Sequence, residues 1–168
     1  MKVLSINQLQ DLKTEIEIEL SKLTHLAQDL QKVRKIIEQP QEDSTPFYES
    51  LALKLHNFYT GCERIFRLIA VGLNGNVPST SDWHRRLLER MSMTFAERPA
   101  VISHDTAVAL REYLGFRHVV RNLYGYELNQ KRLEQLVEEH LPVWQRFDRE
   151  LQEFVQWIQS LIEQLRGT

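Results

Sequence analysis

Cysteine, glycine and proline are scarce in this chain of 168 residues. The single cysteine, Cys62, excludes an intramolecular disulfide and any zinc site built on several thiolates. The six glycines and five prolines leave few breaks, which favours long helices. No apolar run approaches the roughly 18 residues that span a bilayer, and residues 1–3 do not open a secretory apolar region. We therefore expect a soluble, cytoplasmic protein.

The chain also lacks a large excess of charge of either sign, because 21 Lys and Arg nearly balance 23 Asp and Glu, for a net charge of −2. This balance argues against a general nucleic-acid coat but leaves room for a local basic site.

The first helix is expected over residues 5–38. Ser5 and Gln8 fit a capping box, and apolar residues then recur every three or four positions as far as Ile37. A second helix is expected to begin with Thr45 as N-cap and Pro46 at the first helical position, and to close at residues 74–76.

Three more helices follow in the sequence pattern. A short one should begin at Ser81 or Asp82, a fourth should run from about residue 103 to 124, and the last segment covers residues 129–166. Pro142 should kink that last segment or split it. No β-alternating run and no repeat is visible, so we predict one domain over residues 1–168, an all-α up-and-down bundle of about five helices.

The first helix would be about 50 Å long at 1.5 Å per residue. Part of it, or of the last helix, could pack on a second copy of the chain, which makes a dimer a reasonable hypothesis. The alternative is that the two long helices pack on each other.

Common catalytic and metal-binding motifs are absent from the sequence. None of the six histidines follows a glutamate by three positions, and there is no phosphate-binding Gly-rich loop and no Gly-x-Ser-x-Gly elbow. His25, His56 and His140 are interpreted as packed or surface histidines, and Cys62 as a small core residue.

One segment of the fourth helix, residues 117–124, contains no acidic residue. At about 100° per residue, one arc of this helix carries Arg117, His118, Arg121, Asn122 and Tyr124, while the apolar residues fall on the other side. The pattern indicates a helix that buries one face and presents the polar arc.

This combination of side chains favours binding of a phosphodiester. Arginine offers a rigid fork of donors for phosphate oxygens, histidine exchanges protons near neutrality, and tyrosine can stack on a base. These groups suffice for RNA cleavage without a metal, in which the 2′-hydroxyl attacks its own phosphate. The alternative is a solvated face, or arginines paired with acidic residues of the last segment such as Glu134, Glu138 and Glu139.

The pattern Arg117-x4-Asn122-x-Tyr124 resembles the signature helix of HEPN domains of the HepT-like toxin family, whose motif has His where this chain has Asn122. The resemblance extends from residues 55–59 through 82–84 to the last helix. It implies a homodimeric, metal-independent ribonuclease without a cofactor, with a shared RNA cleft. It also implies a partner, a minimal nucleotidyltransferase antitoxin that transfers AMP to the motif tyrosine.

Carried over to this chain, the resemblance implies that Arg117 binds or stabilises the scissile phosphate and that Tyr124 accepts AMP. An amide is not a general acid or base in this pH range, so Asn122 at the catalytic position leaves a proton-transfer role vacant. His118 either takes that role or serves as a polar spacer. The substitution leaves open a second reading, a non-catalytic HEPN module that binds a nucleotidyltransferase or is modified by it. A third reading is a plain helical oligomerisation protein.

A second basic group on the third helix consists of Arg85, Arg86 and Arg90. Together with Arg121 it is predicted to contact RNA as another wall of the cleft. The alternative is a solvated surface balanced by Asp82.

Overall fold

The computed structural model describes residues 4–121 and 129–167, with side chains for residues 4–117 and 129–167. The described part of the chain forms five α-helices and no sheet strand, which confirms the all-α prediction. The helices are α1 (Ile6–Ile37), α2 (Thr45–Ile69), α3 (Trp83–Met91), α4 (His104–Arg121) and α5 (Gln130–Gly167). None of the helices in these ranges is both long enough and apolar enough to cross a bilayer.

Helix α1 begins with the predicted capping box. The Ser5 hydroxyl accepts from the Gln8 backbone at 3.3 Å, and the Gln8 side chain accepts from the Ser5 backbone at 3.0 Å. Its apolar stripe is buried from Leu9 to Leu30 against α2 and α5. The two long helices thus pack on each other within one chain, and packing on a second copy stays a prediction.

Helix α2 begins one residue earlier than predicted, so the N-cap assignment of Thr45 is wrong. Ser44 occupies the cap position without a side-chain hydrogen bond, and Thr45 is already helical. The backbone N–H of Thr45 donates to the Asp43 carboxylate at 2.9 Å, which satisfies one of the free donors at the helix start. Pro46 therefore takes the second helical position.

The end of α2 widens into a π-helical turn, Ala70–Asn74, and stops at Gly75. Gly75 has φ +84°, a left-handed conformation that glycine adopts without strain. The predicted end at residues 74–76 is confirmed, while the π-turn has no signature in the sequence pattern.

The later helices begin close to the predicted positions. Asp82 precedes α3 and, before α4, the Ser103 hydroxyl accepts from the Thr106 backbone at 3.2 Å. Asn129 caps α5 through a 3.0 Å bond from the Arg132 backbone. Helix α5 continues through Pro142, so a split there is wrong, and the kink stays a prediction. Buried residues on both sides of Pro142 hold the helix against the core despite the missing backbone donor.

Helix α2 is central, since it contacts α1, α3, α4 and α5. Its predicted apolar stripe is fully buried, including Cys62, whose thiol pKa is raised well above its ordinary value by burial. Any polar residue on this face of α2 is therefore brought against side chains of several other helices.

Candidate functional site

Arg117 lies in α4 one turn after Tyr113, and the two residues share a side of the helix. Tyr113 and Phe116 are buried, and the Tyr113 hydroxyl donates to the Leu136 carbonyl at 2.8 Å. These contacts hold α4 against α2 and α5. Because Arg117 is only about 40° around the helix from Tyr113, its side chain lies at the edge of the buried face and is 12% exposed.

Glu63 of α2 meets the Arg117 guanidinium. Arg117 Nη1 donates to Glu63 Oε1 at 2.9 Å, and the Glu63 side chain is only 6% exposed. The expectation of an uncompensated arginine is therefore wrong for Arg117. The alternative of a partner in α5 is wrong as well, because the packing of α4 places Arg117 against α2.

His84, in the first turn of α3, completes a three-residue cluster. Its Nδ1 lies 2.5 Å from Glu63 Oε2 and 3.4 Å from Arg117 Nη1. The ring stacks on the neighbouring Trp83 with centroids 3.6 Å apart, and its side chain is 20% exposed. We call Glu63, His84 and Arg117 the Glu63 cluster. It joins one carboxylate, one imidazole and one guanidinium from three helices.

Neither Glu63 nor His84 was predicted as a site residue. Glu63 follows Cys62 on the apolar face of α2, flanked by Tyr59 and Phe66 one turn away on either side. An acidic residue on a buried helix face requires a partner, and that is the signal that could have found it. His84 lies within the segment of the family resemblance but carries no motif of its own.

A groove of about 650 Å³ runs between the start of α1 and the end of α2 and reaches Arg117. Arginines and carboxylates line it together with apolar side chains: Arg64, Arg67, Arg117, Asp11, Glu15, Glu63, Leu4, Leu12, Leu68 and Val71. The groove is therefore of mixed charge and not a uniformly basic channel.

Two buried donors at this groove have no hydrogen-bond partner within the described part of the chain, Arg117 Nε and Thr60 Oγ1. Arg67, also in the lining, lies with its guanidinium carbon 5.6 Å from the Trp83 ring centroid. An anionic ligand with oxygen acceptors would satisfy such donors. The described ranges contain no group of three or more His, Cys, Asp or Glu residues arranged to hold a metal ion.

The second basic group is partly neutralised. Arg85 and Arg86 both bond to Asp82, at 3.0 Å in each ion pair, and hydrogen bonds from Thr80 and these arginines hold the pKa of Asp82 below its usual range. Arg90 lies 5.0 Å over the Phe95 ring. Both Arg85 and Arg86 are exposed, and their contact with RNA stays a prediction.

The remaining predicted site residues are described only in part. The backbones of His118 and Arg121 belong to α4, but their side chains lie outside the described residues. Asn122 and Tyr124 lie outside the described residues altogether.

The fold and cluster define an all-α protein whose fourth helix places an arginine at a groove, backed by a carboxylate and an imidazole. A family model described as HepT-like protein matches residues 50–158, more than half of the chain, and the chain belongs to this HepT-like family. The match begins within α2, so α1 precedes the matched region. No curated protein and no solved structure matches the chain.

Proposed function

We propose that this protein is the toxin of a HepT-like toxin–antitoxin pair and acts as a metal-independent endoribonuclease. The observation that carries the proposal is Arg117 at the groove, whose buried Nε has no hydrogen-bond partner among the described residues, in a chain that belongs to the HepT-like family.

In this proposal the Arg117 guanidinium binds the scissile phosphate. Glu63 takes one donor of Nη1 at 2.9 Å, which fixes the orientation of the planar group and leaves other donors for phosphate oxygens. Arg64 and Arg67 line the same groove and would contact flanking phosphates. Arg121 and the second basic group, Arg85, Arg86 and Arg90, extend the RNA surface.

The chemical step is attack of the 2′-hydroxyl on its own phosphate, which leaves a 2′,3′-cyclic phosphate and a 5′-hydroxyl. Arg117 stabilises the charge that develops on the nonbridging oxygens. Asn122, at the motif position, positions the substrate by hydrogen bonding, and His118 is one proposed proton-transfer group.

The proposed partner is a minimal nucleotidyltransferase antitoxin that attaches AMP to Tyr124. We also propose a homodimer in the cytoplasm. An AMP group attached seven residues after Arg117 would bring a bulky anion that competes with RNA for the same guanidinium, which gives the modification a direct route to inhibition.

The test is cleavage of RNA by the purified, AMP-free protein with a chelator present. We expect cyclic-phosphate ends, and growth inhibition on expression in cells. Arg117→Ala should abolish both while the protein still melts cooperatively, at a lower temperature because the buried Glu63 loses its partner. Arg117→Lys keeps the charge but loses the planar fork, so partial loss is expected. Intact RNA after incubation with the wild type would refute the enzymatic proposal.

A second candidate function is a non-catalytic module that binds or is modified by a nucleotidyltransferase. It is favoured by the Glu63 carboxylate, which already occupies one donor of Arg117, and by Asn122 at the motif position. Mass spectrometry after co-expression with the enzyme encoded by a neighbouring gene tests the pairing. An AMP-sized addition on Tyr124 with no RNA cleavage by the unmodified protein would favour this candidate over a toxin.

A further inference from the structure

Within the Glu63 cluster, the Glu63 carboxylate holds the His84 imidazole by accepting a hydrogen bond from Nδ1, and the Arg117 guanidinium lies beside the ring. Glu63 Oε2 lies 2.5 Å from Nδ1, and Arg117 Nη1 lies 3.4 Å from it. The same carboxylate accepts from Arg117 through its other oxygen. The positions of the imidazole and of the proposed phosphate-binding guanidinium are therefore fixed by one buried side chain.

We propose that His84 is the proton-transfer residue of RNA cleavage and that Glu63 is its positioning residue. This inference rests on the proposed ribonuclease function and fills the role that Asn122 leaves vacant. His84 belongs to α3, so the proposed proton-transfer residue lies outside the motif and outside α4, the helix that carries Arg117.

The geometry supports this role in two ways. A carboxylate on Nδ1 selects the tautomer that carries its proton there and stabilises the imidazolium, so Nε2 is the atom that exchanges a proton with substrate. Because His84 and Arg117 are in contact, a phosphate bound to the guanidinium would also lie close to the imidazole, as proton transfer requires.

The charged groups around His84 come from three helices. Glu63 faces it from α2 and Arg117 from α4, and Arg67 of α2 lies over the neighbouring Trp83. On α3 itself, Asp82 precedes Trp83 and is paired with arginines. Glu63 is the acid that bonds directly to the ring through Nδ1.

The proposed step is balanced in atoms and protons. His84 Nε2 accepts the proton of the 2′-hydroxyl as the O2′–P bond forms, and the P–O5′ bond breaks. The departing O5′ takes a proton from water, and the imidazolium returns its proton to solvent, so no net proton is gained. Arg117 stays protonated throughout and stabilises the nonbridging oxygens.

The discriminating variant is His84→Asn. Its amide nitrogen lies near the position of Nδ1 and keeps a donor for Glu63, whereas nothing replaces Nε2. We expect kcat to fall by about 100-fold to 10,000-fold. The Kd for an uncleavable 2′-O-methyl RNA should change less than about twofold. The matched control is His25→Asn, an exposed histidine on α1, which should cleave at the wild-type rate.

The pH–rate profile provides a readout that a structural role would not change. The wild type should lose activity in acid, because a protonated His84 cannot accept the proton of the 2′-hydroxyl, and the residual activity of His84→Asn should not show this loss. Glu63→Gln should lower kcat more than it raises KM. In the ¹⁵N-histidine spectrum of Glu63→Gln, the proton of the neutral His84 imidazole should no longer be confined to Nδ1.

The outcomes separate this inference from the proposed function. If Arg117→Ala abolishes cleavage while His84→Asn cleaves with the wild-type kcat and pH profile, the role of His84 is refuted and the ribonuclease stands. If the wild type cleaves no RNA, both proposals fail. Should His84→Asn not fold, ¹⁵N-histidine spectra of the wild type decide. Binding of 2′-O-methyl RNA should shift the Nε2 resonance of His84, and an unchanged resonance would overturn the proposal.

Discussion

His140 gives the most quantitative prediction, because it is a fully buried histidine with no charged partner among the described residues. Its ring lies 4.5 Å from the Phe58 ring and 6.3 Å from that of Tyr113, centroid to centroid. Both ring nitrogens are buried and have no hydrogen-bond partner within the described residues. Burial lowers the pKa of His140 from 6.5 to about 4. The folded protein therefore holds this ring neutral where the unfolded chain protonates it.

The sign of the pH dependence follows from this difference. Between pH 6.5 and about 4 the unfolded chain binds more protons than the folded one, so stability falls as pH falls through this range. At about 1.4 kcal/mol per pKa unit, the full loss from His140 is about 3 kcal/mol near pH 4. His140→Leu has a similar volume and no nitrogen, and it should equal or exceed the wild type in stability at pH 7.

The assay is urea unfolding of the wild type and His140→Leu at several pH values from about 7 to 4. The carboxylates that also titrate are common to both proteins, so the difference in free energy of unfolding isolates the imidazole. We expect this difference to grow in favour of the variant by about 3 kcal/mol as pH falls. A difference that does not change with pH would show that His140 is not held neutral in the fold and would refute the reasoning.

Three further perturbations test the packing and the surface. In Gly61→Ala the new Cβ would lie 2.6 Å from Leu23 Cδ2, so we expect a loss of about 1 to 3 kcal/mol in urea unfolding. Adding Leu23→Ala should make the double variant less unstable than the sum of the two. Arg98→Leu removes a fully buried guanidinium that donates to two backbone carbonyls, at 2.7 and 3.1 Å. We expect the free energy of unfolding to fall by about 2 to 4 kcal/mol, and an unchanged urea midpoint would contradict this. Replacing Arg85 and Arg86 together by alanine should leave the melting temperature unchanged, since both pairs are exposed, and should weaken RNA binding most at low salt; equal binding would remove them from the RNA surface.

Local signals explain why most of the fold was predictable. The capping box at Ser5, the turn at Gly75 and the cap at Asn129 each depend on a few neighbouring residues, and the structure has all three. The apolar stripe of α2 has a helical period that sequence shows directly. Tertiary packing decided the exceptions. Helix α5 stays continuous at Pro142 because buried residues on both sides are anchored in the core.

The site was less predictable because its members are distant in sequence. Glu63, His84 and Arg117 are brought together only by the packing of α2, α3 and α4. The helical pattern of residues 117–124 identified Arg117 as a site residue but predicted it on the exposed face of α4. A helical wheel does not show where a neighbouring helix covers the edge of that face. The acidic partner lies 54 residues earlier in the chain, where no local pattern connects it with the arginine.

The Glu63 cluster also has an electrostatic consequence. A buried Glu–Arg pair costs desolvation and is retained at little net gain, whereas removal of one partner leaves a buried charge unpaired. Glu63→Gln should therefore destabilise the fold. Its effect on cleavage must be read at temperatures well below the melting point of that variant, where loss of folded protein does not contribute.

In the proposed ribonuclease, Arg117 contacts an RNA phosphate in the groove between α1 and α2. The most direct measurement is the affinity for an uncleavable 2′-O-methyl RNA as a function of salt, for the wild type and Arg117→Ala. Loss of one phosphate contact should weaken binding at low salt and reduce the slope of log K against log salt by about 0.7. Equal affinity and equal slope for the two proteins would contradict the account.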